Sequence, residues 1–244
     1  MAVETVLFDL DDTLFDHRHA RRAALRTIRS VEPVLGRLSL ERMDQEFERL
    51  LTEVHVSLVL SGKVTPEESR WIRMNRFLED HHLVLPQKRV RELIELRMEA
   101  YRRHRRAVPG APEILQRLRA TGAAIAVVTN NLVTEQEEKL RVTGLEPLVD
   151  HLICSEQVGA TKPDPRIFRA ALRRARGRAQ TAVMVGDSWE SDVLGAARLG
   201  IRSVWFHRDR RPLPPAPRSG ELRSFRPLPH AARVILGRSR APRA

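Results

Sequence analysis

Val6-Leu7-Phe8-Asp9-Leu10-Asp11-Asp12-Thr13-Leu14 is the stretch on which the fold turns. Its short apolar run, rich in β-formers, predicts a buried strand that delivers Asp9 and Asp11 where the apolar pattern breaks down. Two carboxylates this close at a strand end repel, and each raises the pKa of the other. A divalent cation removes that cost, and an all-oxygen ligand set favours Mg²⁺. Taken alone, the segment reads equally well as an Asp-rich turn, with Asp12-Thr13 opening the next element. Three further polar clusters downstream, each after an apolar strand-like run, tip the reading toward a site.

From Phe15 to about Arg106 the chain reads as almost wholly helical. Residues 20–28, 41–60, 67–81 and 88–101 carry apolar side chains at mixed three and four spacings. Pro33-Val34-Leu35-Gly36, Ser61-Gly62 and Leu85-Pro86 separate these four helices. In the last helix Val90, Leu93, Ile94, Met98 and Tyr101 form one apolar face.

Beyond Val108 the rhythm changes. A helix over 112–120 leads to an apolar strand over 123–128 that ends at Thr129-Asn130-Asn131. A helix over 135–142 stops at Gly144, and a strand follows around Leu152-Ile153. A helix over 165–174 precedes a strand over 181–185, which runs into Gly186-Asp187-Ser188; a helix over 191–199 then leads to a strand over 201–205. This alternation predicts an α/β fold: a Rossmann-like parallel sheet core covered on both faces, formed by residues 1–16 and 106–208, with an inserted all-helical domain over 17–105. Ligands bind outside the carboxyl ends of such strands, where every polar cluster falls. Residues 209–244 form a Pro/Arg-rich C-terminal extension: 208–218, with four prolines among arginines, reads as extended or mobile, 228–236 as a short helix, and 237–244 as frayed.

Composition narrows the functional classes. No apolar run is long enough to cross a bilayer and no basic-then-apolar signal opens the chain, which predicts a cytoplasmic protein without membrane partners. The net charge of +12 raises the question of nucleic acid, yet the basic residues are nearly all Arg, with Lys only at 63, 88, 139 and 162. A GC-rich coding sequence produces that bias without functional demand, and the arginines are scattered and not interleaved with aromatics. Nucleic acid is therefore not expected as a partner. The single Cys154 lies in an apolar run and reads as a small buried hydrophobe. His17 and His19, and the pair His81-His82, lack the carboxylates a transition-metal site needs and read as solvated or capping. The run Arg102-Arg103-His104-Arg105-Arg106 reads as a solvated hinge, with attraction of an anionic substrate as its alternative.

Taken in order, Asp9-Leu10-Asp11-Asp12-Thr13, Thr129-Asn130, Lys162-Pro163-Asp164, and Gly186-Asp187-Ser188 with Asp192 resemble the four motifs of the haloacid dehalogenase-like hydrolase superfamily. The resemblance covers the whole core, including Gly144-Leu145 and Ser155-Glu156-Gln157-Val158-Gly159, and the helical insert resembles that superfamily's C1-type cap. It implies a Mg²⁺-dependent phosphomonoester hydrolase that acts through an aspartyl-phosphate on a small phosphorylated substrate, such as a nucleoside monophosphate or a sugar phosphate. Asp9 would be the nucleophile. Asp11 would be the general acid and base, protonated at the first step because it stands near the phosphate dianion and its side chain is away from direct ligation of the metal. Mg²⁺ would sit between an Asp9 oxygen, the Asp11 backbone carbonyl and Asp187. Asp192 would either ligate the metal or hold one of its waters. Thr129 and the Asn130 backbone would bind the phosphoryl group, and Lys162 would offset its charge. Thr13 and Ser188 are supporting residues, the Thr13 hydroxyl being suited to capping the turn after the strand.

Each cluster has a plainer reading as a helix cap, a surface lysine or a turn; four in order at strand ends are what those readings do not provide. Asn131 stands where many relatives of this superfamily have Gly, and a left-handed Asn would meet the same need. A 2-haloacid dehalogenase or a phosphosugar mutase on the same fold is the alternative chemistry, and the resembling dehalogenases need neither the acid at Asp11 nor a metal. A non-catalytic basic binding module is the alternative of another class, though a pure binder has no use for Asp9 beside Asp11.

Overall fold

The computed structural model describes residues 2–206, the backbone of Leu222–Ser224, and the positions Leu228, Ala232 and Ile235. The chain divides into two compact units, one of Met1–Asp16 and the chain from Arg106 onward, the other of His17–Arg105.

In the first unit, strand β1 (Thr5–Phe8) is wholly buried. The second unit follows, with helices α1 (His17–Val31), α2 (Pro33–Gly36), α3 (Leu40–Val54), α4 (Pro66–Asp80) and α5 (Gln87–Arg103). The first unit resumes with α6 (Ala111–Arg119), β2 (Ala124–Thr129), α7 (Val133–Val142), β3 (His151–Cys154), α8 (Ser155–Val158), α9 (Pro165–Arg174), β4 (Ala182–Gly186), α10 (Gly195–Ala197), β5 (Arg202–Trp205) and β6 (Leu222–Ser224).

The six strands among the described residues are all parallel, in the order β3-β2-β1-β4-β5-β6. Val6 lies opposite Ile125 and Val183, and Leu7 opposite Ala126 and Met184. Leu7, Ala126 and Met184 pack with Ile167, Phe168 and Ala171 of α9 and with Ala196 of α10. Val6, Phe8, Ile125, Val127, Val183 and Val185 point to the opposite face and are as fully buried. Strands buried on both faces cannot alternate apolar with polar, which is why they read as unbroken apolar runs. The strand order reverses beside β1, and that is where the crevice at the carboxyl ends of an open parallel sheet opens.

The helical unit has its own core, in which Leu25, Ile28, Met43, Phe47, Leu50, Met74, Phe77 and Leu93 are buried together. The Phe47 and Phe77 rings meet at 4.6 Å. A capping box opens α4: the Thr65 hydroxyl accepts from the Glu68 N–H at 3.2 Å and the Glu68 carboxylate accepts from the Thr65 N–H at 2.7 Å. The four expected helices are present, but the presumed breaker at Pro33 forms the short helix α2, because proline is tolerated at a helix's first position. The expected helix over 41–60 is α3 continued by a π-helical turn, His55–Val59.

The first unit also departs from expectation. No strand was expected beyond Trp205, yet Leu222–Ser224 joins the sheet beside β5. The expected helix over 191–199 opens instead as a π-helical turn, Trp189–Leu194, before α10. The extended segment expected over 208–218 and the frayed end over 237–244 lie outside the described residues. Within the expected helix 228–236, Leu228, Ala232 and Ile235 are helical and buried, at a spacing that places them on one face. No helix among the described residues is long and apolar enough to cross a membrane.

Arg97 on α5 is an anomaly in the helical core. It is 6 % exposed, its Nε has no hydrogen-bond partner, and among the described residues no carboxylate pairs with it. Its guanidinium lies over the Phe47 ring at 5.3 Å. Burial first, and then the charges of Arg73, Arg70 and Arg21, push its pKa down to about 9. A base depressed on folding costs stability at every pH below its folded pKa, and that cost fades only as pH rises through about 9. Arg97→Met is therefore expected to stabilise the protein at neutral pH by about 1–4 kcal/mol, the range seen when buried charges give way to apolar groups. Urea unfolding measures it, and a loss of stability would show that the charge is compensated.

Candidate active site

The site is assembled at the carboxyl ends of β1, β2 and β4. The Asp9 N–H donates to the Val185 carbonyl at 2.8 Å, so the ladder between β1 and β4 runs right up to the first carboxylate. The chain then coils sharply, with the N–H groups of Thr13, Leu14 and Phe15 all donating to the Leu10 carbonyl at 3.3, 2.9 and 2.8 Å. Asp12 takes a left-handed φ of 64° at the apex. This backbone closure makes a side-chain cap superfluous. The Thr13 hydroxyl, expected to cap the turn, is fully buried and has no hydrogen-bond partner. Asp16 at the end of the coil accepts from Arg106 Nε at 2.9 Å, so this member of the arginine run is paired where the chain leaves and re-enters the unit.

Lys162 is the hub. The residue is 5 % exposed, and its ammonium lies 2.5 Å from Asp9 Oδ1 and 2.7 Å from Asp192 Oδ1. The Asn130 side chain holds the Lys162 backbone from both sides, donating to its carbonyl at 2.9 Å and accepting from its N–H at 2.6 Å. Asp192 stands in the π-helical turn after β4, where its Oδ2 accepts from the Ser188 N–H at 3.0 Å. Ser188 Oγ in turn accepts from the Ser191 N–H at 3.2 Å and caps that turn. Gly186 makes this packing possible, since a Cβ there would stand 2.1 Å from Asp192 Oδ2. Trp205 Nε1 donates to the Asp187 carbonyl at 2.7 Å and fixes the neighbouring backbone.

Asp9, Asp187 and Asp192 each bring an oxygen within 4.8 Å of the others. Burial pushes the Asp9 carboxyl up to about 7, with Asp192 and Asp11 adding to the rise and Lys162 opposing it. Burial, then the charges of Asp9, Asp192 and Asp12, likewise hold Asp187 well above the ordinary carboxylate range. Burial alone would depress Lys162, but Asp192 and Asp9 outweigh it and keep the ammonium protonated. Three carboxylates against one ammonium leave an excess of negative charge, and their hard oxygens suit a divalent cation.

Asp11 is not in this cluster. Both its oxygens lie 2.7 Å from Lys139 Nζ, and Gln136 Nε2 donates to Oδ2 at 3.1 Å. Helix α7 brings the buried ammonium of Lys139 to meet the Asp11 side chain, a contact the sequence reading did not include. The same Gln136 nitrogen donates to Thr129 Oγ1 at 2.8 Å, leaving the threonine hydroxyl's own proton to be given to an oxyanion. Asn131 does not take a left-handed backbone; its Oδ1 instead accepts from the Leu132 N–H at 2.8 Å.

Sequence reasoning missed Gln136 and Lys139. The scarcity of lysine was the available signal, since two of the four, Lys139 and Lys162, are buried here. The histidines lie elsewhere: His17 Nδ1 is 2.8 Å from the Tyr101 hydroxyl and His81 Nε2 is 2.6 Å from Glu46 Oε2. Cys154 is fully buried, and burial pushes its thiol up to about 12, in keeping with a packing role.

Residues 3–200 match the family model of the haloacid dehalogenase-like hydrolases. A glyceraldehyde 3-phosphate phosphatase of Pyrococcus abyssi is 31% identical over 215 residues, 84% of this chain and 81% of that one. A ribulose-1,5-bisphosphate 5-phosphatase of Halopiger xanaduensis is 32% identical over 202 residues, 82% of this chain and 83% of that one. Among solved structures, a phosphatase of the same family from Thermococcus onnurineus superposes with a TM-score of 0.60 at 28% identity, covering 96% of this chain and 98% of that one.

The raised carboxyl of Asp9 fixes a pH dependence. A carboxyl whose folded pKa of about 7 exceeds its unfolded value takes up a proton on folding, so its contribution to stability is lost as pH rises through that range. A divalent cation competes with those protons. At a fixed concentration a hundredfold above its dissociation constant at pH 8 it is expected to stabilise the protein by about 2.7 kcal/mol near pH 8 and by much less near pH 5, where protons weaken its binding. Thermal unfolding with and without magnesium at the two pH values measures this, and Gly186→Ala, which displaces Asp192, is expected to shrink the gain.

Proposed function

The chain belongs to the haloacid dehalogenase-like hydrolases and is a phosphoric monoester hydrolase, and from that premise we propose that Asp9 is its nucleophile and a small sugar phosphate its substrate. The observation that carries the reading is the Lys162 ammonium held between Asp9 and Asp192. A buried lysine on a buried carboxylate keeps that carboxylate available as a nucleophile and places positive charge where a phosphoryl group gathers negative charge.

Asp9 attacks phosphorus as the bond from phosphorus to the leaving oxygen breaks, giving an aspartyl-phosphate, and Asp11 gives its proton to the departing alkoxide. Water then attacks the aspartyl-phosphate, loses its proton to Asp11, and frees phosphate and Asp9. Thr129 donates its hydroxyl proton to a phosphoryl oxygen, and Asn130 positions Lys162 through the two bonds to its backbone. The oxygen donors of Asp9, Asp187 and Asp192 fit Mg²⁺, which they would hold together with the Asp11 backbone carbonyl. When bound, Mg²⁺ would neutralise phosphoryl charge during transfer.

The acidic cluster speaks for phosphoryl transfer over attack on a haloacid carbon. The names of the two relatives, a triose phosphate and a pentose bisphosphate phosphatase, point to the sugar-phosphate class ahead of nucleotides. Phosphate release from a panel of sugar phosphates and nucleoside monophosphates tests the reading. Turnover should need Mg²⁺, and Asp9→Asn should lower it at least about a thousandfold, as loss of a covalent nucleophile does. Release that survives Asp9→Asn, or a preference for nucleotides, would refute the corresponding part.

A further inference from the structure

The face of α7 that carries Gln136 and Lys139 plays no part in the chemistry just set out, yet both side chains are buried and both bind Asp11. The two residues stand three apart on one helix and therefore share a face. The two hydrogens of the Gln136 amide nitrogen are divided between Asp11 Oδ2 at 3.1 Å and Thr129 Oγ1 at 2.8 Å. Lys139 Nζ lies 2.7 Å from each Asp11 oxygen and 5.3 Å from the centre of the Phe15 ring, so its ammonium is walled in by the coil that carries Asp11.

Burying a lysine is costly unless its partner is well placed. In this chain arginine fills nearly every basic position, and lysine remains only at 63, 88, 139 and 162. An ammonium is a compact point charge where a guanidinium is a planar fork, and both buried lysines sit on carboxylates of the site. A further constraint is charge: with Asp9, Asp187 and Asp192 already within 4.8 Å of one another, a fourth carboxylate turned into the cluster would repel them and compete for a cation.

We propose that Gln136 and Lys139 are positioning residues for Asp11. They hold its side chain on the α7 side of the site, outside the cluster of Asp9, Asp187 and Asp192, and Gln136 fixes its spacing from the Thr129 hydroxyl. Acid–base group and phosphoryl-binding hydroxyl then keep one register. The inference rests on the acid–base role of Asp11 given above.

The test compares kcat/KM for two leaving groups, because that quantity reports phosphoryl transfer to Asp9. A sugar alkoxide needs a proton to leave, whereas the nitrophenolate of para-nitrophenyl phosphate does not. Lys139→Met and Gln136→Met are each expected to lower kcat/KM at least about tenfold further for the best sugar phosphate than for the aryl ester. Added to Asp11→Asn, Lys139→Met should leave the ratio of the two substrates where Asp11→Asn alone puts it, since residues acting through one group are not additive. Equal losses on both substrates, no loss on either, or a further change of ratio in the Asp11→Asn background would overturn the proposal. A wild type that releases phosphate from neither substrate would instead overturn the phosphatase reading itself. Gln136→Met keeps the test available should Lys139→Met not fold.

Discussion

A buried ammonium shared by two buried carboxylates holds this site together. Asp9, Lys162 and Asp192 come from three distant parts of the chain and meet only because β1 and β4 are neighbours and the loop before α9 returns to the same edge. Each member depends on the others, since removing one partner from a buried pair leaves a charge without compensation and costs roughly 3–5 kcal/mol. The supporting contacts serve this one pairing. Asn130 clamps the Lys162 backbone, the Ser188 N–H takes the second oxygen of Asp192, and the bare Cα of Gly186 lets that carboxylate approach. Even so, a single ammonium does not balance three carboxylates, and the surplus suits the site to a divalent cation.

A second ion pair divides the labour among the acids. Asp9 and Asp11 are two residues apart in the coil, yet one faces Lys162 and the other Lys139. The left-handed turn at Asp12 and the convergence of three N–H groups on the Leu10 carbonyl set the backbone that separates them. Two carboxylates that would only repel in an extended strand thereby acquire different surroundings, as the proposed nucleophile and acid–base group would require.

Much of this was legible in the sequence, for identifiable reasons. β1, β2 and β4 announce themselves because strands covered on both faces are apolar nearly throughout, and the polar residues that end them are therefore conspicuous. Asp9, Thr129 and Asp187 stand at or just past such strand ends, whereas Lys162 and Asp192 are picked out by the family motifs that contain them. β6 was not legible, because Leu222-Arg223-Ser224 contains no apolar run and earns its place by pairing with β5 alone. Gln136 and Lys139 were hidden for the opposite reason: polar residues on a helix look like a solvated face until tertiary packing turns that face inward. The Asn130 amide was assigned through its backbone because nothing in the sequence indicates that its side chain will meet the main chain at Lys162, 32 residues on. Asn131 was read as a left-handed residue by type, whereas the turn it occupies is closed by its own side chain on the Leu132 N–H.

The central claim is that Asp9 takes the phosphoryl group covalently. Acid quenching of the enzyme during turnover of a sugar phosphate with Mg²⁺, followed by mass spectrometry of the peptide that spans Asp9, addresses it directly. The account predicts one phosphoryl group on that peptide, carried by Asp9 and absent when substrate is omitted. A phosphoryl group on another residue, or rapid phosphate release with Asp9 unmodified at every quench time, would contradict it.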